Sequence, residues 1–564
     1  MINYISLYPN VNAEGFNDDF LLGLSDPPIE DYVISAMKEL EAIENIKIED
    51  VKVEKDQDNI DLNWHMININ YKRKDLANLE IPKYKFMSDS RYGEVIFKIR
   101  VSTNLNEETI TKRILIPVEH EGFYWSNNKK MKAIWQLVDA STYNQRGKIT
   151  LKSRMPIIVY HNKHREVHDV DDNIYMLPTY SYALNSKGKR PGSKTKTKFI
   201  NPLMLYAAKM GFRDTIEFFG MTSIVNIVSE YKEDDKEHYF IFPMDDLFIK
   251  VDKVLFDKYE LIKSFVCMCY NLRSKDFPVG SNILENKEYW ICRIGYIGSA
   301  KNKNIMSFRE KGSTTIYMVE RLLDQITIDN LRLPGIYKHN IYFLLYWLIT
   351  NWTELKKRSN LDMTNKRVRR NEYIVLSSLG KKINENINKL IERKSKSKLN
   401  TMDTLLELFN FNSDIVLAGM RNLNDLIKTD DLVNDMDFLQ EISYSAKGFQ
   451  SNSSDNSKML ATKYRYLDPS MVGRLDINVS SNSDVGTSGM FTPFVKTYNG
   501  YYFVPDGEPC QARYSFDKSL AEEENINVVL NVNDFDTYLD DLEHKTDFVE
   551  KLQYEPIQII EKVD

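Results

Sequence analysis

Four cysteines in 564 residues (Cys267, Cys269, Cys292 and Cys510) are too few to frame a chain of this size with disulfides, so a reducing compartment is expected. Cys267 and Cys269 stand as C-x-C inside the apolar run F-V-C-M-C-Y, with no second pair or nearby His to complete a zinc site, and read as core residues. Long apolar runs are missing too. The most apolar one, 341–349 (I-Y-F-L-L-Y-W-L-I), is nine residues where a bilayer span needs about 20; it reads as a buried helix, and no membrane is expected among the partners. The opening M-I-N-Y-I-S-L-Y-P-N has no basic segment ahead of an apolar core, so no signal peptide is expected. Glycine is sparse where phosphate loops need it: there is no G-x-x-x-x-G-K-[ST] and no convincing G-x-G-x-x-G. No Ser or Cys sits in a nucleophile elbow. The chain carries no complete catalytic set of its own.

What is present is ordinary globular composition with uneven charge. Hydrophobic content of 42% and charged content of 28% suit a folded protein, and the length suggests about three or four domains. The net charge is −6, yet residues 356–398 hold 14 Lys/Arg against 4 Asp/Glu, a local +10. Residues 517–564 hold 14 Asp/Glu against 4 Lys/Arg, a local −10, which leaves +4 for 1–516. A basic strip on an acidic chain is either a solvated helical face or a place where a polyanion is held. The acidic C-terminal segment is not expected to touch nucleic acid.

Along the chain, 1–118 alternates short β-like runs (95–101, 114–117) with acidic loops, and 131–138 (M-K-A-I-W-Q-L-V) spaces its apolar residues as a helix would. Residues 145–345 read as mixed α/β, broken at 185–198 (N-S-K-G-K-R-P-G-S-K-T-K-T-K) by a basic loop that is either free surface or a nucleic-acid contact. Ile383, Ile387, Leu390 and Ile391 fall at i, i+4, i+7 and i+8, one apolar face, with Lys381, Lys382, Lys389, Arg393 and Lys394 largely off it. A second helix fits 402–409. Residues 489–532 return to short strand-like runs with a tight turn at Asn499-Gly500.

Two clusters invite metal chemistry. His161, His164 and His168 would place the last two on one helical face, but no H-E-x-x-H supplies a base, and the preceding M-P-I-I-V-Y reads as a strand entering a loop. Asp534 and Asp536, in D-F-D, invite a two-metal reading and a stand-alone metal-dependent nuclease. No third Asp alternates with them, no Gly permits the turn that would gather three carboxylates, and the surroundings are strongly acidic. A solvated acidic turn is the plainer reading.

Six segments then point one way in a fixed order. Residues 361–369 (L-D-M-T-N-K-R-V-R) resemble the D-x-x-x-N-[KR]-R-[VI]-R element in the fork region of the β subunit of multisubunit RNA polymerases, with one residue fewer between Asp362 and Asn365. Pro117 with F-Y-W-S-N-N-K-K-M-K-A-I-W-Q-L-V (123–138) is similar to the N-terminal β signature, and 195–212 resembles that subunit's lobe motif. Residues 437–448 (D-F-L-Q-E-I-S-Y-S-A-K-G) resemble the fork stretch. Asp468-Pro469 with Gly473-Arg474-Leu475, then 484–486, resemble the next two motifs of that subunit. The chain is about half the length of a bacterial β subunit and stops after the fork. The resemblance therefore implies the N-terminal part of a split β subunit, of the kind found in giant phiKZ-type bacteriophages.

By that resemblance the fold is α+β and multidomain, with mixed helices and short antiparallel sheets. Residues 1–140 would begin a protrusion-like domain, 141–350 form a lobe-like domain, 351–373 a fork element, 374–432 return to the protrusion, 433–490 continue the fork, and the acidic, β-rich 491–564 pack on the partner β fragment. The implied function is to form one side of the DNA cleft. Lys366, Arg367, Arg369 and Arg370 would meet phosphates, and Lys447, Lys463, Arg465 and Arg474 would line the fork beside template, transcript or nucleotide. Arg474 could equally pin its own loop. Mg²⁺ would be held by a β′-type subunit and none by this chain. Implied partners are the C-terminal β fragment, β′-type fragments, a promoter-specificity subunit, DNA template and RNA, in the cytoplasm of the infected bacterial host or packaged in the virion. Where the β family has P-x-E-T-P-E-G this chain has I-N-V-S-S-N-S (477–483), and the loop after Tyr444 is shortened, which implies insensitivity to rifamycin. The alternative is a non-catalytic phage protein that binds DNA through the same strip.

Overall fold

The computed structural model describes residues 26–55, 91–163, 173–178, 199–270, 284–357 and 367–429 with breaks, and the short segments 443–445, 488–491, 496–498, 501–503 and 548–554. The architecture is α+β, with helices packed on several short, mainly antiparallel sheets in more than one domain.

One core draws on two distant parts of the chain. Strands Ile46–Glu54, Tyr92–Ser102 and Glu107–Pro117 form an antiparallel meander. In the middle strand Val95, Phe97, Ile99 and Val101 are buried, while Lys98 and Arg100 between them stay exposed, the two-residue period of a half-buried sheet. The apolar face is covered by the helix Ile29–Lys38 and by residues 374–420, including Ile374, Leu379, Leu405 and Val416. The helix Lys381–Ser395 buries Ile383, Ile387 and Leu390 at the expected spacing, the side chain of Ile391 lying outside the described set. Lys112 ties the two parts together: its ammonium donates to the carbonyls of Phe409 (3.0 Å) and Phe411 (2.6 Å), satisfying the end of the short helical run Met402–Leu406 and Glu407–Phe409.

The second core gathers residues 149–355. A five-stranded antiparallel sheet contains Lys148–Leu151, Ile157–Lys163 and Asn173–Pro178 at its centre. Around it pack the helices Leu203–Met210, Glu260–Tyr270, Lys287–Gly298, Ile305–Glu320 and Ile341–Thr350. All nine residues of 341–349 are buried, so this helix is apolar all round because it lies inside the core; each such large side chain contributes about 1.5–3 kcal/mol. Three positions demand glycine. Gly211 joins Leu203–Met210 to Phe212–Phe218 at φ 99°, a conformation L side chains rarely adopt. Gly295 and Gly312 face each other where two helices cross, and a Cβ on either would lie 1.8 Å from a carbonyl oxygen of the other helix. Cys267 is fully buried in Glu260–Tyr270.

One expectation changes. Residues 131–138 are not helical: they form the strands Lys129–Ala133 and Trp135–Val138. Lys132 and Gln136 are buried along with their apolar neighbours, so both faces of this ribbon are covered and the alternation that marks a strand is absent from the sequence. In the acidic C-terminal segment, residues 548–554 form a helical turn that packs on the second core. Phe548 and Leu552 join the second core, Lys551 pairs with Asp214 at 2.8 Å, and Asn340 donates to the Leu552 carbonyl at 3.0 Å. Nearby, Glu320 is buried against Lys209 (2.9 Å) and the Tyr342 hydroxyl (2.9 Å); burial pushes its carboxyl up, and these partners oppose that. The hairpin strands Lys496–Tyr498 and Tyr501–Phe503 are antiparallel, Tyr498 opposite Tyr501.

Candidate nucleic-acid interface

Four segments that are far apart in sequence meet in one four-stranded sheet. Arg367–Arg369 pairs antiparallel with Trp135–Val138, with Arg367 opposite Val138 and Arg369 opposite Gln136. Trp135–Val138 pairs in parallel with Ser443–Ser445, which pairs antiparallel with Ser488–Met490. The adjoining strand Lys129–Ala133 is paired with Ile427–Thr429 and Phe123–Ser126. Most of these strands are three to five residues long and none would be stable alone. Residues 367–369 of the basic strip, 135–138 and 443–445 are thus neighbours in space, and the strand Tyr501–Phe503 lies against 367–369.

Two arginines of the strip, Arg369 and Arg370, face inward. Arg369 is 6% exposed; its Nε donates to Gln136 Oε1 at 2.8 Å, its guanidinium lies 4.5 Å from the centre of the Tyr373 ring, and the buried Glu372 is 3.9 Å away. Arg370 pairs with Glu119 at 2.8 Å, the side chains being 12% and 29% exposed, and stacks over Trp135 at 5.0 Å. Burial opposes its charge, but Glu119, Tyr124 and Asp26 outweigh that and hold it firmly protonated. Expected to meet phosphates, these two arginines each find a carboxylate or amide partner at short range, and so tie the strip to Glu119 and to the strand Trp135–Val138.

Arg370 belongs to a polar cluster that sequence reading did not find. The backbone N–H of Asn371 donates to Asp26 Oδ2 at 2.6 Å, Tyr32 donates to Asp26 Oδ1 at 2.9 Å, Asn371 Nδ2 donates to the Pro27 carbonyl at 3.0 Å, and Tyr124 donates to Asn371 Oδ1. Burial raises the Asp26 carboxyl to about 6, with Arg370 and the Asn371 N–H acting against the shift. The Tyr124 hydroxyl, buried beside Glu119, is pushed well above its usual range. Asp26 and Asn371 are 345 positions apart, and no local pattern marks such a pair.

Other candidate residues divide between described and undescribed positions. Arg367 sits at the end of its strand, its side chain outside the described set, and Lys366 just before it lies outside as well. So do Lys447, Lys463, Arg465, Arg474, the loop 185–198, His164, His168, Asp534 and Asp536. His161 is on the strand Ile157–Lys163, buried against Tyr175 and Trp352, with Nε2 3.0 Å from a Glu260 carboxylate oxygen; burial lowers its basicity, Glu260 opposing. Among the described residues no group of three His, Cys, Asp or Glu could hold a metal ion, and no helix is long and apolar enough to cross a membrane.

Comparison with known proteins gives one family. The family model described as non-virion RNA polymerase subunit matches residues 7–512. No curated protein matches the chain.

Proposed function

The chain belongs to the non-virion RNA polymerase subunit family, and from that premise we propose that it is the N-terminal fragment of a split, β-like subunit forming one side of the DNA cleft. The observation that carries this reading is the shared sheet. Residues 135–138, 367–369 and 443–445, each from a segment resembling a separate β-subunit motif, meet there, as parts of one site would. The name of the family, non-virion, lends no support to packaging in the virion, and the enzyme acts in the cytoplasm of the infected host.

In this reading Arg369 and Arg370 position the strip, and Lys366 and Arg367 at its leading end meet phosphates. Lys447, Lys463, Arg465 and Arg474 extend the contact toward template, transcript and nucleotide. The chain holds no catalytic residue. In-line displacement of pyrophosphate belongs to a β′-type partner, which holds Mg²⁺. The C-terminal β fragment, β′-type fragments and a promoter-specificity subunit complete the complex on DNA and RNA. Charge reversal at Lys366 and Arg367 in the assembled enzyme tests the contact: the salt slope of nucleic-acid binding should fall by about 0.7–0.9 per lost phosphate contact. An unchanged slope would remove this strip from the interface.

A further inference from the structure

The helix Lys381–Ser395 turns its apolar face to the first core, and its polar side lines a groove against the 402–410 segment. The groove has a volume of about 240 Å³, and its polar lining is Lys382, Asn386, Lys389, Thr404, Glu407 and Asn410. Lys382 and Lys389 are seven residues apart, two turns of helix, so they project from one side about 10 Å apart along the axis. That is about three steps of rise along one strand of a B-form duplex. Lys389 is exposed and Lys382 half-buried, and neither has an ion-pair partner among the described residues, unlike the arginines of the strip. Asn386 is fixed in the groove by donating from Nδ2 to the Leu408 carbonyl at 3.0 Å, which leaves its own oxygen to take a donor. Glu407 is the one carboxylate of the lining, so an anion would be held toward the lysines and away from it.

We propose that this groove is a second phosphate-backbone contact, outside the 367–370 sheet, that takes two phosphates of a nucleic-acid strand on Lys382 and Lys389. The volume is too small for a whole drug-sized ligand and suits a stretch of sugar–phosphate. The absence of stacked aromatic rings in the lining makes the contact independent of sequence. The proposal rests on the polymerase reading above, and it adds a place where the strand continues past the cleft wall.

The test uses the assembled polymerase carrying Lys382→Glu with Lys389→Glu, and separately Lys382→Gln with Lys389→Gln. Binding of a labelled single-stranded oligonucleotide and of the matching duplex is followed by anisotropy across a salt series. The slope of log affinity against log salt should fall by about 1.4 on the single strand, or about 1.8 if duplex is the occupant. Glu407→Gln should raise affinity severalfold at low salt. Unmoved slopes on both nucleic acids overturn the proposal, even if inorganic phosphate alone binds the groove, provided the amides of 381–391 keep wild-type hydrogen-exchange protection. The Lys366/Arg367 reversal is run alongside. If that slope falls and the groove slope does not, the groove fails and the cleft reading stands; if neither falls, both fail.

Discussion

Arg370→Met removes the guanidinium that joins Glu119, Trp135 and the Asp26–Asn371 cluster while keeping much of the aliphatic stem. Removing one member of a fully buried ion pair costs about 3–5 kcal/mol. Glu119 keeps 29% of its side-chain exposure, so water recovers part of that cost, and about 2–3 kcal/mol is expected to remain. Losing the stacked ring contact at 5.0 Å accounts for about 0.5–1 kcal/mol within that range. A chain of several domains does not unfold in one step, so a global melting curve is the wrong readout. Hydrogen exchange of the amides in 135–138 and 367–371 reports the local opening. At about 1.4 kcal/mol per tenfold, protection there should drop by about 30- to 150-fold. Amides of the helix Ile341–Thr350, in the other core, should be unmoved. A drop of less than about fivefold would mean the pair is worth no more than a surface salt bridge, and the assignment of Arg370 as the pin of this sheet would fail.

Three further outcomes are expected. Gly295→Ala puts a methyl 1.8 Å from the Phe308 carbonyl oxygen and 2.7 Å from Gly312 N, so it should destabilise by about 3 kcal/mol or more. Gly220→Ala, at φ 65° in open space, should cost only about 1 kcal/mol; equal losses of hydrogen-exchange protection in the second core for the two would contradict the close crossing. Asp26, at about 6 when folded against 3.8 when free, binds its proton more tightly in the native state. Its contribution is therefore full below pH 3.8 and is lost as pH rises through about 6, and Asp26→Asn should flatten that fall in exchange protection at 371. Parallel pH curves for the variant and wild type would refute the burial of this carboxyl. The assembled enzyme should transcribe undiminished at micromolar rifamycin, given the shortened loop after Tyr444; strong inhibition would show that the drug pocket survives.

The parts of the fold legible in the sequence are those where one helix decides its own environment. Residues 341–349 are apolar on every side and buried on every side, and the three described residues of the 383–391 stripe face a core. The strands at 131–138 resemble a helix in sequence because both of their faces are covered, which erases the period that separates strand from helix. Their partners at 367–369, 427–429 and 443–445 are three residues each, too short to announce themselves. The basic strip is legible as a concentration of charge, but the engagement of its arginines is not. Arg369 and Arg370 are occupied by Gln136 and Glu119, more than 230 positions away, and only the folded chain brings those partners together.

The most direct test of the central claim is to isolate this chain from infected cells and weigh everything bound to it. The account expects stable, stoichiometric large partners, among them a chain carrying the rest of a β-like subunit and a metal-binding β′-like one, with RNA synthesis only in the whole assembly. A pure, partnerless chain that elongates RNA by itself would contradict it.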